Sequence, residues 1–328
     1  MALITTRARL ARRLCAGWLA ALALCGGARA EYPDKPITLV VPVAAGDATD
    51  IAARIMAEEL SKLLKVPVMA SNLPGAGGMM GARSVAKAAK DGYTLLFTIN
   101  AAMTANRILN PQAAGYDALT DFAPLGLTTR TPMVIAVRSD APFKTLAEMA
   151  AHAKKNPGKV TVGTAGTGSI GDFTVQIVGA QTGAELVMVP FKGAAPSISA
   201  LQGGHIDGAA VALGAIAGQL KSGVLRGIAS STKSPEFPSV PTLVELGYSR
   251  DLLGVWLAFF APAGVPAEVA RVLVPAIESV ATDPAVAARL APLGVVQDYQ
   301  SPENLRAEIR AEQKVVEEMV RKAAAAKP

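Results

Sequence analysis

The strongest constraint on the fold is a regular alternation between short β-branched apolar segments and longer segments with a helical repeat. Residues 37–43 form an almost unbroken apolar run, as expected for a strand buried on both faces. The next segment, residues 49–64, repeats its apolar side chains at helical spacing. Further predicted strands are residues 66–70 and 93–99, separated by a Gly-rich turn at 74–78 and a helix that ends at 90. This βαβαβ order predicts a parallel sheet with right-handed crossovers.

A second alternating set follows Pro132. Its predicted strands are residues 133–137, 160–163, 186–190, 206–213 and 224–229, and its predicted helices are residues 146–156, 169–182 and 214–222. A Ser- and Pro-rich loop at 231–241 precedes a strand at 256–260 and three helices at 267–282, 284–293 and 302–322. We therefore expect an α/β protein with two lobes, each a mainly parallel sheet flanked by helices. Residues 31–132 plus 251–328 would form the first lobe and residues 133–250 the second, and a crevice between such lobes is where α/β folds bind ligands.

The first 30 residues have the features of an export signal. They contain five arginines and no lysine or acidic residue, and their apolar run at 14–25 is too short to span a bilayer. Ala28-Arg29-Ala30 then supplies the small residues that a signal peptidase needs before Glu31. We expect cleavage after Ala30 and a periplasmic mature chain, with the general and twin-arginine export routes both open.

Removal of this signal changes the net charge and the cysteine content of the chain. The whole chain has a formal net charge of +6 and two cysteines, Cys15 and Cys25, both of which lie in the signal. After its removal, 27 of the 32 basic residues remain against 26 acidic ones. A nearly neutral chain without a basic cluster argues against binding to nucleic acid, and a chain without cysteine forms no disulfide. We expect an exported, soluble protein.

Few residues support catalysis or metal binding. The two histidines are His152, on a predicted solvated helix face, and His205, in a turn before a strand. A metal site needs at least three ligands in one place, so we expect neither a metal nor a cofactor. Ser169 lacks the first glycine of a G-x-S-x-G nucleophile elbow. We therefore predict no catalytic residue.

Two loops that lead from a strand into a helix are stronger candidates. The first, residues 44–50, contains Thr49 as the predicted cap of its helix. The second, residues 163–169, carries three hydroxyl groups among small residues. Because a helix N-terminus stabilises an anion by about 0.3–2 kcal/mol, one such loop in each lobe predicts a cleft that binds a carboxylate from both sides. The second loop also begins a G-x-G-x-x-G match, but Glu185 precedes the next strand instead of ending it, so a dinucleotide site is rejected.

At this point the motifs resemble the substrate-binding proteins of tripartite tricarboxylate transporters, also called the Bordetella uptake gene (Bug) family. The resemblance covers essentially the whole predicted mature chain, in order. The motifs that carry it are Tyr32-Pro33-Asp34-Lys35-Pro36-Ile37, Thr49-Asp50-Ile51-Ala52-Ala53-Arg54, Asn72-Leu73-Pro74-Gly75-Ala76-Gly77-Gly78, Asp91-Gly92-Tyr93-Thr94-Leu95, Val189-Pro190-Phe191-Lys192-Gly193, Gly203-Gly204-His205-Ile206-Asp207 and Phe260-Ala261-Pro262-Ala263-Gly264-Val265-Pro266.

The resemblance implies a periplasmic binding protein of the type II kind, monomeric and without catalysis, that delivers a small carboxylate to integral membrane transporter subunits. It also implies that the ligand lies between the two loops already described. Carried over to this sequence, the expected ligand-binding residues are Ala45, Gly46, Asp47, Thr49, Asn100, Thr164, Thr167, Gly168, Ser169, Asp172, Phe191, Lys192 and Val211.

This chain departs from the family pattern at three places near the expected ligand. The first loop usually has a second glycine where Asp47 stands, and the second helix usually has histidine where Asp172 stands. Val211 and Ala212 replace an acid or amide found in many members. Both aspartates could instead be solvated or could stabilise helix N-termini. If they face the cleft, they disfavour a simple dicarboxylate and predict an amino acid or a nicotinamide-like acid, among small organic acids.

Two alternative functions remain open on the sequence. The same fold could be the ligand-sensing input of a signalling receptor. A protein of a different class, a periplasmic α/β enzyme, could use Asp47 or Asp172 as an acid or base.

Overall fold

The computed structural model describes residues 32–167, 169–249 and 252–325. The fold given below is that of the unit Lys35–Pro328. The predicted export signal and its cleavage point lie outside the described residues, as does Gly168 of the second loop.

Eleven strands and twelve α-helices follow one another in the described part of the chain. The strands are β1 (Ile37–Val41), β2 (Val68–Asn72), β3 (Thr94–Ile99), β4 (Phe122–Thr131), β5 (Met133–Arg138), β6 (Val160–Thr164), β7 (Leu186–Pro190), β8 (Gly208–Ala212), β9 (Leu225–Ser230), β10 (Val255–Pro262) and β11 (Val296–Gln300). The helices are α1 (Ala48–Leu64), α2 (Met79–Ala86), α3 (Asn100–Met103), α4 (Ala105–Leu109), α5 (Pro111–Ala114), α6 (Leu146–Lys155), α7 (Ile170–Thr182), α8 (Ala194–Gln202), α9 (Leu213–Lys221), α10 (Ala267–Ala281), α11 (Pro284–Leu290) and α12 (Pro302–Ala325). Short 3₁₀ turns at Ala76–Gly78 and Ala291–Leu293 precede α2 and follow α11.

The strands form two sheets, one in each lobe. The six-stranded sheet of the first lobe has the order β11-β4-β10-β3-β1-β2, and the five-stranded sheet of the second has the order β7-β6-β8-β5-β9. The predicted βαβαβ unit is present, because β1 pairs in parallel with both β2 and β3. The chain enters the second sheet between β4 and β5 and returns between β9 and β10, so the two-lobed α/β prediction is confirmed.

The sheets are mixed and not mainly parallel. Strand β10 runs antiparallel to both β3 and β4, and β5 runs antiparallel to both β8 and β9. Each of these two strands is the one that the chain forms directly after it crosses from the other lobe. A strand that enters from the opposite side needs no crossover helix to reverse direction, so it pairs antiparallel to its neighbours.

Helix α12 contacts both lobes. Its first half places Leu305 and Ile309 in the apolar cluster of the first lobe, with Trp256. Its second half places Val316 in a different cluster with Met133 and residues of α7. The C-terminal helix packs on the first lobe, as predicted. That contact is only half of its packing, because the same apolar stripe continues onto the second lobe.

The lobes also meet where two glycines lie back to back. Gly214, in the first turn of α9, faces Gly294, which precedes β11 and has a φ of +68°. A Cβ atom on Gly214 would lie 2.8 Å from the Cα of Gly294 and 2.9 Å from the carbonyl oxygen of Leu293. Backbone contact at this point therefore requires that neither residue carries a side chain.

We predict opposite effects for two glycine substitutions in α9. Gly218→Ala would raise the free energy of unfolding by roughly 0.5–1 kcal/mol, because a Cβ atom there has nothing within 4 Å and alanine favours a helix. Gly214→Ala would lower it by about 1–3 kcal/mol, because the added methyl overpacks the contact between the lobes. Urea unfolding of both variants measures this, and equal effects would contradict the contact.

Candidate ligand-binding site

The predicted loops leave their sheets at edges where parallel strands end. Strands β1 and β3 are parallel neighbours, so the first loop and Asn100 both emerge at the carboxyl edge of the first sheet. Strands β6, β7 and β8 are likewise parallel, so the second loop and Phe191 emerge at one edge of the second sheet. In α/β folds such edges are where ligands bind.

Asp47 is the N-cap of helix α1, so the helix-terminus alternative for Asp47 is confirmed and the prediction of Thr49 as the cap is wrong. Helix α1 begins at Ala48, and the Asp47 carboxylate accepts a hydrogen bond of 2.8 Å from the Thr49 N–H. Asp47 is the N-cap because a capping residue stands just outside the helix in an extended conformation, whereas Thr49 already lies within the first turn. Thr49 is buried, while Ala45, Gly46 and Asp47 are exposed.

Asp50 holds the first loop in place, and the sequence analysis missed this role. Its buried carboxylate accepts hydrogen bonds from the Gly46 N–H at 2.8 Å, from the Asn72 amide at 2.8 Å and from the Arg54 guanidinium at 3.1 Å. Burial opposes ionisation, but the hydrogen bonds from Arg54, Gly46 and Asn72 outweigh it and lower the pKa of Asp50. Asp50 and Arg54 stand four apart on one helix face, a signal that could have predicted the pair.

The second loop is closed by its own polar groups. The Thr164 hydroxyl is buried and accepts from the Gly166 N–H at 3.3 Å. Ser169 is the N-cap of α7 and accepts a hydrogen bond of 3.2 Å from the Asp172 N–H. The Asp172 carboxylate is itself buried and accepts from the Gln176 amide at 2.9 Å. The exposed Thr167 leaves its hydroxyl at the surface of the loop.

Two glycines of the rejected dinucleotide match, Gly166 in the second loop and Gly171 in α7, have structural roles. A Cβ atom on Gly171 would lie 2.4 Å from the Ala210 carbonyl oxygen, so α7 can approach β8 only with glycine there. Gly166 has a φ of +131°, a conformation that residues with side chains rarely adopt.

The other predicted residues of the second lobe divide into three environments. The Phe191 N–H donates to the Thr164 carbonyl at 3.1 Å, which places the turn after β7 directly beside the second loop. Lys192 is exposed in that turn. Val211 is buried in the apolar core beside β5, facing away from solvent, so the structure does not bring its side chain to the loop.

Asn100 is fully buried and belongs to a polar cluster. Its amide group donates to the Gly254 carbonyl at 2.8 Å and to the Glu312 carboxylate at 3.1 Å and 3.3 Å. Trp256 donates to the same carboxylate at 2.9 Å. Sequence reasoning missed Glu312, because it appears in a charged, amphipathic helix where an acid is normally solvated.

An apolar cluster connects the carboxyl edge of the first sheet with the edge of the second sheet at which the second loop begins. Ala105 of α4, just beyond Asn100 in the first lobe, packs with Ile170 and Phe173 at the start of α7. The partly buried Ile108 and Ala212 join the same cluster. The end of β3 and the N-terminus of α7 are therefore neighbours, which brings the surroundings of Asn100 and of Ser169 to the same part of the molecule.

Among the described residues, no group of three or more histidine, cysteine or acidic side chains is arranged to hold a metal ion. His152 is half-buried and lies 5.5 Å from the Phe143 ring, so its predicted solvated position is only partly correct. A cavity of about 590 Å³ lies between the second lobe and helix α12, and one of about 530 Å³ lies in the second lobe. No predicted ligand residue lines either. No helix in the described part of the chain combines the length and apolarity needed to cross a membrane.

Comparison with known proteins identifies the class. Residues 52–324 match the family model of the tripartite tricarboxylate transporter family receptor, and the chain belongs to this family. A protein from the TAR-I ttuE-ttuC' intergenic region of Agrobacterium vitis is 39% identical over 291 residues, which cover 87% of this chain and 83% of that relative.

Two solved structures have the same fold. A TctC solute-binding protein from Polaromonas, without ligand, is 29% identical with a TM-score of 0.82 and covers 89% of this chain and 99% of its own. MatC from Rhodopseudomonas palustris, with bound malate, is 30% identical with a TM-score of 0.67 and covers 87% of this chain and 100% of its own. The chain is thus a two-lobed solute-binding receptor, with the fold and family of periplasmic binding proteins.

We predict that Asp50→Asn lowers the free energy of unfolding by about 1.5–3 kcal/mol, because charge-assisted hydrogen bonds to the first loop are lost. Because the folded pKa of Asp50 is lowered, its stabilisation is present above the ordinary carboxyl pKa and is lost as the pH falls through the lowered value. The difference between the wild type and the variant should therefore shrink in acid. Urea unfolding at neutral and acid pH measures it. Asp140→Asn, at an exposed aspartate, is the control, and equal losses from both would contradict the role of Asp50.

Proposed function

We propose that this protein is the periplasmic receptor of a tripartite tricarboxylate-type transporter. It would bind a small carboxylate-bearing ligand between its lobes and deliver it to the integral membrane subunits. The observation that carries the proposal is the hydroxyl-rich second loop at the N-terminus of α7, beside the edge of the first lobe, in a chain of this receptor family. Residues 1–30 would be the export signal, cleaved after Ala30, and the mature chain would act as a monomer.

The second loop is the proposed carboxylate end of the site. The first two N–H groups of α7, on Ile170 and Gly171, have no acceptor within the helix and carry the positive end of its dipole. The Ser169 hydroxyl accepts from Asp172, so its own proton remains for a ligand oxygen. Thr167 adds an exposed hydroxyl. Together these groups supply hydrogen-bond donors for a carboxylate without a cationic side chain.

The first loop is the proposed end for a different chemical group. The Asp47 carboxylate already occupies the N-terminus of α1, where a ligand carboxylate would otherwise bind. One of its oxygens accepts from Thr49, and the other is left for a ligand N–H in an exposed position. A negative charge here repels a second ligand carboxylate and attracts an ammonium or amide group. The proposed ligand is therefore an amino acid or a nicotinamide-like acid.

The lobe boundaries of this proposal follow the two chain crossings. Residues 31–132 with 251–328 would move as the first lobe and residues 133–250 as the second. A hinge motion between these segments would close the lobes on the ligand.

Ligand retention tests the proposal. The native protein, purified from the periplasm, should carry a small acid that denaturing mass spectrometry recovers chemically unchanged. Loss of cellular uptake of that acid on deletion of the gene, with recovery on its return, would test delivery to a transporter. Turnover of the acid would support the enzyme alternative, and normal uptake with a lost transcriptional response would support the sensor alternative.

We predict that Asp47→Asn reverses the ligand preference. The affinity for L-aspartate or nicotinamide-like acids would fall at least about tenfold, the usual cost of losing one charge-assisted hydrogen bond. The affinity for L-malate would rise, because a like charge is removed. Isothermal titration calorimetry measures both, with Asp140→Asn as the control. Tight binding of citrate that is unchanged in the Asp47→Asn/Asp172→Asn double variant would contradict the proposal.

A further inference from the structure

Glu312 lies in an unusual position for an acid, midway along the buried stripe of α12. Ile309, three residues earlier, packs in the cluster of the first lobe. Val316, four residues later, packs with Met133 and Phe173 of the second lobe. Positions three and four apart share one helix face, so Glu312 stands between the part of α12 that contacts one lobe and the part that contacts the other.

The Glu312 carboxylate is buried without a cation. It accepts hydrogen bonds from Asn100 and from the Trp256 indole, and among the described residues no positive side chain pairs with it. Asn100 donates with the same amide nitrogen to the Gly254 carbonyl, while its own side-chain oxygen is buried without a partner. Acceptors on two sides, a carboxylate and a carbonyl, fix this orientation of the amide.

These contacts reach both places where the chain crosses between the lobes. Gly254 stands directly before β10, at the second crossing. At the first crossing, Arg130 near the end of β4 pairs with Asp298 and, at 3.0 Å, with Glu308. Glu308 and Glu312 are one turn apart on α12. One turn of this helix therefore holds both crossings, the first through Arg130 and the second through Asn100.

We propose that Glu312 is a proton-linked positioning residue for the hinge. When it is ionised, it holds Asn100 against Gly254 and favours the arrangement of the lobes in this structure. When it takes up a proton, this hold weakens and the lobes close more readily on a ligand. The reason is that a carboxylate accepts hydrogen bonds about twice as strong as those of a neutral acid.

The environment of Glu312 places this change at neutral pH. Burial raises the pKa of Glu312 to about 7, and the nearby charge of Glu308 acts in the same direction. The hydrogen bonds from Asn100, Trp256 and Thr104 act in the opposite direction. Of the elements packed against α12, α3 and β10 present Asn100 and Trp256, which do not titrate. The charged groups on the others are paired: Arg130 of β4 with Glu308 and with Asp298 of β11, and Arg107 of α4 with Asp117.

The sign of the stability effect follows from the same pKa. The pKa of Glu312 is higher in the folded protein than in the unfolded chain, so the protonated side chain stabilises the fold. This stabilisation is complete below the unfolded pKa and is lost as the pH rises through about 7. The wild type should therefore unfold at lower urea concentration at pH 8 than at pH 6. Glu312→Gln, which resembles the protonated acid, should lose most of this difference. This arm needs no ligand.

The ligand arm of the experiment rests on the proposed function. Kd is measured by calorimetry at pH 6, 7 and 8 for whichever of L-aspartate and L-malate binds more tightly, since the charge of both changes little in that range. We expect the wild type to bind about three- to tenfold more tightly at pH 6 than at pH 8, where tenfold corresponds to a linked change of one pKa unit. Glu312→Gln at pH 8 should bind as tightly as the wild type at pH 6. Glu317→Gln, at an exposed acid of the same helix, is the matched control and should keep the wild-type pH profile.

The outcomes distinguish a failure of the proposed function from a failure of the proposed role of Glu312. If none of the probes binds, the proposed ligand class is wrong, and an unfolding difference between pH 6 and pH 8 that Glu312→Gln does not remove would still overturn the role of Glu312. If a probe binds with a pH profile that Glu312→Gln does not change, or with the opposite slope, the hinge role is overturned. Should Glu312→Gln fail to fold, Glu308→Gln replaces it, because removal of that negative charge should shift the midpoint of both pH profiles to lower pH. An unshifted midpoint would likewise overturn the inference.

Discussion

The structure depends on the way in which a single chain passes twice between two sheets and is then held by one long helix. The crossings between β4 and β5 and between β9 and β10 insert one strand into each sheet against the direction of its parallel neighbours. Helix α12 then packs an apolar stripe on both lobes. A helix with one continuous buried face restricts how far the two cores can separate, so the relative position of the lobes is a packing property as much as a property of the linking segments.

This arrangement decides what each candidate loop can do. Parallel strands bring both loops to sheet edges, where the N-termini of α1 and α7 offer donors to an anion. The two loops are not equivalent, however, because Asp47 already caps α1 while Ser169 caps α7 with a neutral hydroxyl. Under the proposed function, such an asymmetric site would take a ligand with one negative and one positive or amide end. Asp50, although it lies below the loop surface, supports the site by holding Gly46 in its positive-φ conformation.

Sequence patterns predicted the parallel parts of the fold and failed where tertiary contacts decide. The ends of four elements were predicted to within a few residues, because their apolar repeats match buried faces. These are β1, β3 and β6, which contain Leu39, Leu96 and Val162, and α1, which ends at Leu64. Strands β4 and β11, helix α8 and the short helices between Asn100 and Ala114 were missed. Their sequences have little periodicity of their own, and β11 is an edge strand that pairs with β4. Local propensity does not contain that information.

The sequence by itself determined the class of fold, the family and the two loops, because hydrophobic periodicity and turn residues act over a few neighbouring positions. Only the tertiary structure decided the roles of individual polar residues. It made Asp47 the cap in place of Thr49, placed Val211 in the core, and joined Asn100 to Glu312 across 212 positions of the chain. The physical reason is burial, since the cost of removing a carboxylate or an amide from water depends on partners that are distant in sequence.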